Sequence, residues 1–535
     1  MRTIFRSAWM MTCVGVLAAT QACAQPARTS AQARSPIGTG LDGIVYWSTE
    51  VPFLDVFKTS SPWMSGTADA WDDHRPPDLD PHGWVRSLRP GQRATTLMLF
   101  GAQMWVNGVY RAPKGPYTVA YAGEGKIEYD GARVIETAAG RDVIELQPEP
   151  DGGLALQVTA VNPRNHLRNI RVLLPGAERT ARPGEIFNPA FLESLRGYKV
   201  IRFLGWMTGP SAEDVDVAPH VWTRRPRIEN ARWDSVHGGP PLEVAVALAN
   251  RLSADAWFCL PHLADDDFVR SFAESVRASL DPGLEVYVEH SNEVWNPDFS
   301  SHAHAERRGV ELGLAADEYT AGNRYHARRT REIGAVFRQV LGRERVVVLL
   351  AGQADEPAIA EAMLGWDHTA ADVDALATAP YFGYELGLPD SAAVVERMTL
   401  DDLFRELESK TLPQTIANIA RHAEIAQRHR LPLITYEAGQ HLVYDMNTLG
   451  QRAEGARTAR VNALFDAANR DARMGRLYTQ LLAEWNRLSH GGLFIHLMNC
   501  GQAGSAGRWG LIEYLGQPRA DAPKYDAIRK WMEGS

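Results

Sequence analysis

The segment "VYVEHSNEVWNPDF" (Val286–Phe299) begins as an apolar strand and ends in a group of polar side chains. Its β-branched and aromatic residues predict a short buried strand. Asn292 and Glu293 follow directly where that strand runs out. Polar residues are common at strand ends, so the organisation of the rest of the chain decides whether these two have a chemical role.

The same pattern recurs from Phe187 onward, where helical segments alternate with short buried strands. The first helical segment is "NPAFLESLRGY", in which Asn188 is a suitable N-cap. Seven strands share apolar, β-branched runs, and they are "KVIRFLGW", "AWFCLPHL", "LEVYVEHSNE", "RVVVLLAGQ", "VDALATAPY", "LPLITYEAGQ" and "GGLFIHLMN". With "LDGIVYW" (Leu41–Trp47) as the first strand there are eight βα units, which predicts an α/β fold, a (β/α)8 TIM barrel.

A different pattern lies between the first and second predicted barrel strands. From about Thr95 to Pro175 the residues alternate in polarity, and Gly- and Asp-rich turns recur. This predicts a small antiparallel β-sandwich inserted in a βα loop. We assign residues 39–90 to the first part of the barrel, 91–177 to the inserted β-rich domain and 178–535 to the remainder of the barrel. The insertion either binds polysaccharide or shields one edge of the barrel.

The N-terminus "MRTIFRSAWMMTCVGVLAATQACAQ" combines two arginines, an apolar run and the small-residue motif A-C-A. We predict that residues 1–24 are a signal peptide and that the mature protein is secreted or periplasmic. A lipoprotein acylated at Cys23 is the less favoured alternative, because the preceding "TQ" fits a lipid-attachment box poorly. Residues 25–38 are rich in Pro, Ala, Ser and Arg and predict a flexible linker.

Composition excludes several classes of partner. The 535 residues carry a net charge of −9, which argues against nucleic acid and anionic membrane surfaces. Beyond the signal, no apolar run is long enough to span a bilayer. Of the four cysteines, Cys259 and Cys500 lie in apolar strand-like runs outside the signal, and we interpret them as buried free thiols, although a secreted protein permits a disulfide.

Two glutamates occupy matching positions in the predicted barrel. Glu293 ends strand four, and Glu437 ends strand seven in "LITYEAGQ". Active sites of these barrels lie at the carboxyl ends of the strands, and strands four and seven face each other across the barrel mouth. The alternative is that both are ordinary charged strand ends. Their matching positions favour two carboxyls that share one catalytic pocket.

These residues resemble the clan of (β/α)8 retaining glycoside hydrolases, clan A or the 4/7 superfamily, in which the acid/base follows an asparagine. More narrowly, "YWSTEVPFLDVFKTSSPW", "HLADDDFVR", "VEHSNEVWN" and "YEAGQHL" are similar to secreted bacterial proteins loosely called cellulose-binding proteins. The resemblance spans roughly Leu41 to Trp531. It implies that Glu293 is the acid/base and Glu437 the nucleophile of a double displacement on a carbohydrate, without metal or cofactor.

Other strand ends offer supporting residues. Arg202 on strand two would hold Glu437 ionised, since a nearby cation lowers the pKa of a carboxyl. His262 after strand three would orient substrate or acid, Tyr381 after strand six would bond the nucleophile, and Asn292 would donate to a sugar 2-hydroxyl. In the clan, residues of these types on strands two, three and six have such roles. For Arg202 the alternative is a structural ion pair, and for His262 it is a core or capping histidine.

Four tryptophans are candidates to stack on sugar rings: Trp47, Trp206, Trp295 and Trp509. Trp295 closely follows the acid/base motif and is a stronger candidate than Trp257, which lies within a strand and is predicted to pack. Glu289 is interpreted as a salt-bridged barrel residue, with a role beside Glu293 as the alternative. The run Asp265–Asp267 is predicted to cap and charge a helix N-terminus.

Two further functions remain open. The barrel either hydrolyses a polysaccharide or oligosaccharide, transfers glycosyl groups with the same carboxylates, or binds polysaccharide such as cellulose without cleaving it. The resemblance covers enzymes acting on glucans, mannans, xylans and arabinofuranosides, so the substrate is not determined. Neither are internal versus terminal cleavage and the oligomeric state.

Overall fold

The computed structural model describes residues 34–180, 184–208, 221–235, 238–444 and 455–534. The predicted signal peptide, residues 1–24, lies outside the described residues. So does most of the predicted linker, which ends at residue 38. Within the described part of the chain, no helix is both long enough and apolar enough to cross a membrane.

Eight parallel strands form a nearly closed sheet. Numbered in chain order they are β1 (Ile37–Gly40), β2 (Val200–Arg202), β3 (Asp255–Leu260), β4 (Val286–His290), β5 (Val346–Ala351), β6 (Ala375–Thr378), β7 (Leu433–Thr435) and β8 (Phe494–His496). Their spatial order follows the chain from β1 to β7, and β8 pairs with β1. The prediction of an eight-stranded parallel sheet with helices is therefore confirmed.

The sheet closes between β7 and β8 through one threonine. The Thr435 N–H donates to the carbonyl of Leu493 at 3.0 Å. The Thr435 hydroxyl donates to the carbonyl of Ile495 at 3.0 Å, and the N–H of Ile495 donates to the same hydroxyl at 2.6 Å. A side chain thus replaces part of the backbone ladder at this position.

Helices connect the strands. The main ones are Pro189–Ser194, Leu242–Leu252, Asp266–Ser279, Ser300–Glu311, Glu318–Leu341, Pro357–Leu364, Leu400–Glu406, Leu412–His429, Gly455–Arg470, Ala472–Leu488 and Pro523–Glu533. Two predicted caps are confirmed. The Asn188 side chain accepts from the N–H of Ala190 at 3.0 Å, and Asp265 accepts from that of Phe268 at 2.7 Å.

The first barrel strand lies upstream of its predicted position. Residues 41–47 do not form it, and Ile37–Gly40 does. A Cβ on Gly38 would lie 2.3 Å from Ile495 Cδ1, and one on Gly40 would lie 2.0 Å from the Leu497 carbonyl oxygen. Close packing requires glycine here, and glycine has no strand-forming signal in a sequence. The linker predicted up to residue 38 therefore ends too late.

Two four-stranded antiparallel sheets lie between β1 and β2 in the chain. One contains Pro116–Ala122, Ala132–Ala138, Arg141–Leu146 and Arg168–Leu173, and the other contains Met64–Gly66, Arg93–Met98, Gly125–Asp130 and Leu154–Val161. A single buried apolar cluster takes side chains from both sheets.

The β-rich segment begins earlier than residue 91. Met64–Gly66 pairs with Arg93–Met98, and Phe57 and Trp63 belong to the cluster that both sheets share. The assignment of all of residues 39–90 to the barrel is therefore wrong. The three short strands and the 3-10 turn in this range carry no alternating pattern, so only their tertiary pairing reveals where they belong.

Candidate active site

The loop after β4 places Glu293 through an unusual backbone. Ser291 and Glu293 both have left-handed conformations, with φ of 60° and 39°. The N–H of Ser291 donates to the carbonyl of Leu260 at the end of β3, at 2.8 Å. Such conformations cost about 1–3 kcal/mol for residues other than glycine, and they concentrate at functional sites.

Arg202, at the end of β2, is only 1% exposed and binds three side chains. Its Nε and Nη2 donate to the two carboxylate oxygens of Glu289, both at 3.0 Å. Its Nη1 donates to Glu437 Oε2 at 2.7 Å, and Nη2 also donates to Asn292 Oδ1 at 2.9 Å. A buried guanidinium requires such anionic partners, and the planar fork orients them.

Glu289 holds Arg202 in place from the barrel interior. Its Oε2 also accepts from Trp257 Nε1 at 2.7 Å and from the thiol of Cys259 at 3.2 Å. The interpretation of Glu289 as a salt-bridged barrel residue is confirmed. Trp257 packs as predicted, stacked on Tyr287 at 5.4 Å, and in addition donates this hydrogen bond.

Glu293 accepts hydrogen bonds from neutral donors only among the described residues. Tyr436 Oη donates to Oε1 at 3.1 Å, and Asn296 Nδ2 donates to Oε2 at 3.0 Å. Burial, followed by the charge of Glu437, raises the pKa of Glu293 from its ordinary value of 4.5 to about 8. Glu293 therefore holds a proton at neutral pH.

Glu437 is 6% exposed and accepts a hydrogen bond from the guanidinium of Arg202, whereas no cation in the described part of the chain is bonded to Glu293. Burial raises the pKa of Glu437, and Arg202 is the strongest opposing influence, followed among hydrogen bonds by one from Tyr381. Because Arg202 binds Glu437 and not Glu293, the negative charge of the pair is favoured on Glu437. The two glutamates thus have unequal environments.

Three aromatic rings lie together next to Tyr381. The ring of His441 is 5.4 Å from Tyr381, 4.8 Å from Trp509 and 5.0 Å from Tyr384, each edge to face. Burial lowers the pKa of His441 to about 4, so this ring is neutral at ordinary pH. Trp509 also contacts Tyr381 directly, at 5.7 Å. These rings form a candidate wall for a sugar.

Arg202 contacts both Asn292 and Glu437 directly, and Tyr381 and Glu293 are neighbours of Glu437. Three further site predictions concern tryptophans. Trp295 is half-buried beside Tyr436, and Trp47 is half-buried with its ring edge to face against Tyr46 at 4.6 Å.

The prediction that Trp206 stacks on a sugar ring is wrong. Trp206 is 1% exposed and lies in the apolar core among Phe53, Phe191 and Phe203. A ring enclosed by other side chains cannot stack on a ligand. The residue stands next to a strand end in the sequence, but the chain turns into the short helix Leu204–Thr208 and carries the indole into the core.

His262 belongs to a group of histidines behind the β4 loop. Its ring is 5.1 Å from His304, and in the same region His290 Nδ1 lies 2.9 Å from His326 Nδ1. His262 also borders a cavity of about 560 Å³ together with Asp265–Asp267. These contacts favour the alternative of a structural histidine.

Sequence reasoning did not identify Tyr436, Asn296 or His441 as site residues. Each stands within four residues of a candidate catalytic glutamate, so proximity in the sequence was an available signal. Among the described residues, no group of three or more His, Cys, Asp and Glu side chains is placed to hold a metal ion.

No family model and no curated protein matches the sequence. Among solved structures, the chain is similar to a GH51 arabinofuranosidase from Xanthomonas axonopodis pv. citri, with 12% identity over 60% of this chain and 62% of that one and a TM-score of 0.34. It is similar to a 4-O-alpha-L-rhamnosyl-beta-D-glucuronidase from Fusarium oxysporum, with 13% identity, coverage of 64% and 63%, and a TM-score of 0.38.

A third similar structure is xylanase 10C from Cellvibrio japonicus, with 8% identity over 90% of this chain and 99% of that one and a TM-score of 0.36. The chain spans a little over three fifths of the first two structures, at 62% and 63%. With TM-scores below 0.5, these similarities do not bear on the site residues.

Proposed function

We propose that this protein is a retaining glycoside hydrolase that cleaves a polysaccharide or oligosaccharide with Glu293 and Glu437. The observation that carries the proposal is the unequal surroundings of two glutamates, the half-buried Glu293 and the buried Glu437. Glu437 is bonded to the guanidinium of Arg202, whereas the described residues offer Glu293 only the neutral donors Tyr436 and Asn296. Two carboxyls whose environments separate their protonation states are what acid and nucleophile roles require.

In the first step a Glu437 oxygen bonds to the anomeric carbon while the bond from that carbon to the glycosidic oxygen breaks. The electron pair stays with the departing oxygen, which takes the proton of Glu293. In the second step the ionised Glu293 removes a proton from water. The water oxygen then bonds to the anomeric carbon and Glu437 leaves as carboxylate.

The neighbouring residues have supporting roles in this proposal. Asn292 accepts from Arg202 through Oδ1, and its Nδ2 has no partner among the described residues, so it is free to donate to a sugar hydroxyl. Tyr381 hydrogen-bonds the nucleophile and, with Trp509, lines the sugar site. Trp295 and Trp47 are proposed to contact more distant sugar units.

The proposal extends to the remaining parts of the chain. We interpret the two antiparallel sheets as a β-sandwich inserted in the first βα loop, because one apolar cluster joins them. Residues 1–24 are proposed to direct secretion. The substrate is proposed to be a plant or bacterial polysaccharide.

The first test replaces each glutamate by glutamine. Glu293→Gln and Glu437→Gln should each lower kcat by several orders of magnitude while the protein stays folded, because the isosteric amide can neither protonate the leaving group nor attack the anomeric carbon. Reducing-end release from a panel of glucans, mannans, xylans and arabinans measures activity, and Glu145→Gln in the exposed pair with Arg133 serves as control. Wild-type turnover in either variant would remove that residue from its proposed role.

Three further experiments distinguish a retaining hydrolase from a transglycosylase and from a binding protein. For Glu293→Ala, added azide should restore turnover of a 2,4-dinitrophenyl glycoside, since a small anion can attack the glycosyl-enzyme without a general base. A transglycosylase would give longer oligosaccharides, seen by product analysis. A binding protein would show tight polysaccharide binding by calorimetry and release no product over days.

A further inference from the structure

We propose that Tyr436 and Asn296 are positioning residues that assign the proton of Glu293 to one oxygen, Oε1, and stabilise the ionised form of this carboxyl after the proton has left. This inference rests on the proposed function of Glu293 as acid/base. It concerns how one carboxyl serves as acid in the first step and as base in the second.

The amide of Asn296 determines which oxygen carries the proton. Asn296 Oδ1 accepts from the N–H of Asp298 at 3.1 Å, so the opposite end of the amide, Nδ2, is the one that faces Glu293. An amide nitrogen donates only, and Glu293 Oε2 at 3.0 Å must therefore accept. The acidic proton is left to Oε1.

Tyr436 stands at the oxygen that gives up the proton. Its hydroxyl lies 3.1 Å from Glu293 Oε1, and its buried ring lies 5.3 Å from the guanidinium carbon of Arg202. A hydroxyl oxygen of a neutral carboxyl is a weak acceptor, whereas a carboxylate oxygen is a strong one. The Tyr436 hydrogen bond therefore strengthens at the moment when Oε1 loses its proton.

The adjacency of Tyr436 and Glu437 in the sequence couples the positions of the Glu293 and Glu437 carboxyls. Tyr436 is covalently adjacent to Glu437, so the end of β7 supplies both the nucleophile and a hydrogen bond to the acid/base on β4. A shift of either strand end would alter both contacts at once. Tyr436 in this way sets the position of Glu293 relative to Glu437.

In the described part of the chain, the charged and titratable groups that face Glu293 come from three other strand ends. They are Arg202 after β2, Tyr381 after β6, and Tyr436 with Glu437 after β7. In the resting enzyme, burial and the charge of Glu437 favour the protonated acid. Once Glu437 becomes a neutral ester, that repulsion disappears and the bonds from Tyr436 and Asn296 favour the base.

The test observes the carboxyl directly and needs no substrate. Infrared difference spectra of the wild type and of Glu293→Gln identify the protonated-carboxyl band of Glu293, and its intensity is followed against pH. In Tyr436→Phe and in Asn296→Ala the band should persist to higher pH, by up to about one unit, because each variant loses one hydrogen bond to the charged form. Tyr117→Phe, whose buried hydroxyl donates to the Pro113 carbonyl at 2.7 Å, is the matched control and should titrate as the wild type.

Kinetics provide the second readout. With phenyl and 2,4-dinitrophenyl glycosides of glucose, mannose, xylose and arabinofuranose, Tyr436→Phe should lower kcat/KM about tenfold for the phenyl leaving group, which needs protonation. The dinitrophenyl leaving group, which does not, should change less than about twofold. Equal losses for both leaving groups, or a Glu293 band that titrates as in the wild type, would overturn the inference. If no glycoside is cleaved but the band shifts, the proposed function fails, while the stabilisation of ionised Glu293 by Tyr436 and Asn296 stands.

Discussion

At the scale of single residues, the site depends on how the hydrogen bonds of one guanidinium are shared between two glutamates. Arg202 gives two hydrogen bonds to Glu289 and one to Glu437, so Glu289 occupies most of its charge. Full pairing with Glu437 alone would hold that carboxylate more tightly and make it a poorer nucleophile. Under the proposed function, Glu289 is therefore expected to influence the nucleophile, although it lies behind the two proposed catalytic groups.

The pH dependence of activity is predicted from Glu293. Its pKa of about 8 means that the proton needed for leaving-group departure is lost above that pH. We expect kcat/KM for an unactivated glycoside to decline through an alkaline limb near pH 8, and the limb to be absent for a 2,4-dinitrophenyl glycoside. An alkaline limb at the same pH with both substrates would show that a group other than Glu293 causes it.

The raised pKa of Glu293 also predicts the direction in which stability changes with pH. Between pH 4.5, the ordinary pKa of a glutamate, and about pH 8, Glu293 is protonated in the native protein but ionised in the unfolded chain. Stability contributed by this group is therefore present below that range and decreases as pH rises through it. The decrease should be smaller in Glu293→Gln, as measured by denaturant titration at several pH values.

At the scale of elements, the loop that carries Glu293 is supported by the helix Ser300–Glu311. The Ser301 hydroxyl donates to the carbonyl of Asn292 at 3.4 Å, and His302 Nδ1 lies 2.9 Å from the carbonyl oxygen of Val294. That helix packs closely on Glu318–Leu341 through a glycine. The left-handed residues of the loop thus rest on a helix pair.

The close packing of this helix pair yields a stability prediction. A Cβ at Gly309 would lie 2.1 Å from the carbonyl oxygen of Ala321, which is backbone and cannot turn away. Gly309→Ala should therefore destabilise the protein by about 1–3 kcal/mol, more than alanine gains from its helix propensity. Denaturant unfolding measures the change. Gly283→Ala, which meets no atom within 4 Å, is the control and should stay within about 0.5 kcal/mol; equal stability of both variants would contradict the packing argument.

At the scale of the whole molecule, closure of the barrel depends on a side chain. Thr435 supplies a hydroxyl that both donates to and accepts from the backbone of Ile495. Glu437 lies two residues further along the chain, so the seam between β7 and β8 also holds the proposed nucleophile in place.

Thr435→Val should weaken this seam. The isosteric methyl cannot accept from the N–H of Ile495, which is left buried and unpaired, at a cost of about 1–3 kcal/mol. Thr378→Val on the neighbouring strand is the control, because the buried Thr378 hydroxyl has no partner among the described residues. Thermal and denaturant unfolding compare the two, and a control as unstable as Thr435→Val would show that the hydroxyl bonds are not responsible.

Most of the strands and helices could be predicted from the sequence. Six of the seven strands from β2 to β8 lie within their predicted segments, and β3 begins one residue before its segment. Apolar β-branched runs bounded by polar residues have few alternative structures. β1 was misplaced, since its glycines are selected by close packing against β2 and β8. The start of the β-rich segment was missed for the same kind of reason, as Met64–Gly66 is a strand only through its partner.

The sequence by itself determined the order of strands and helices and the presence of Glu293 and Glu437 at opposite strand ends, since periodicity and chain order are local properties. Only the tertiary structure decided which side chains share Arg202, that Tyr436 and Asn296 hold Glu293, and that Trp206 is enclosed. Those outcomes depend on contacts between residues up to 235 positions apart, such as Arg202 and Glu437, and on burial, which changes the charge that a carboxyl can bear.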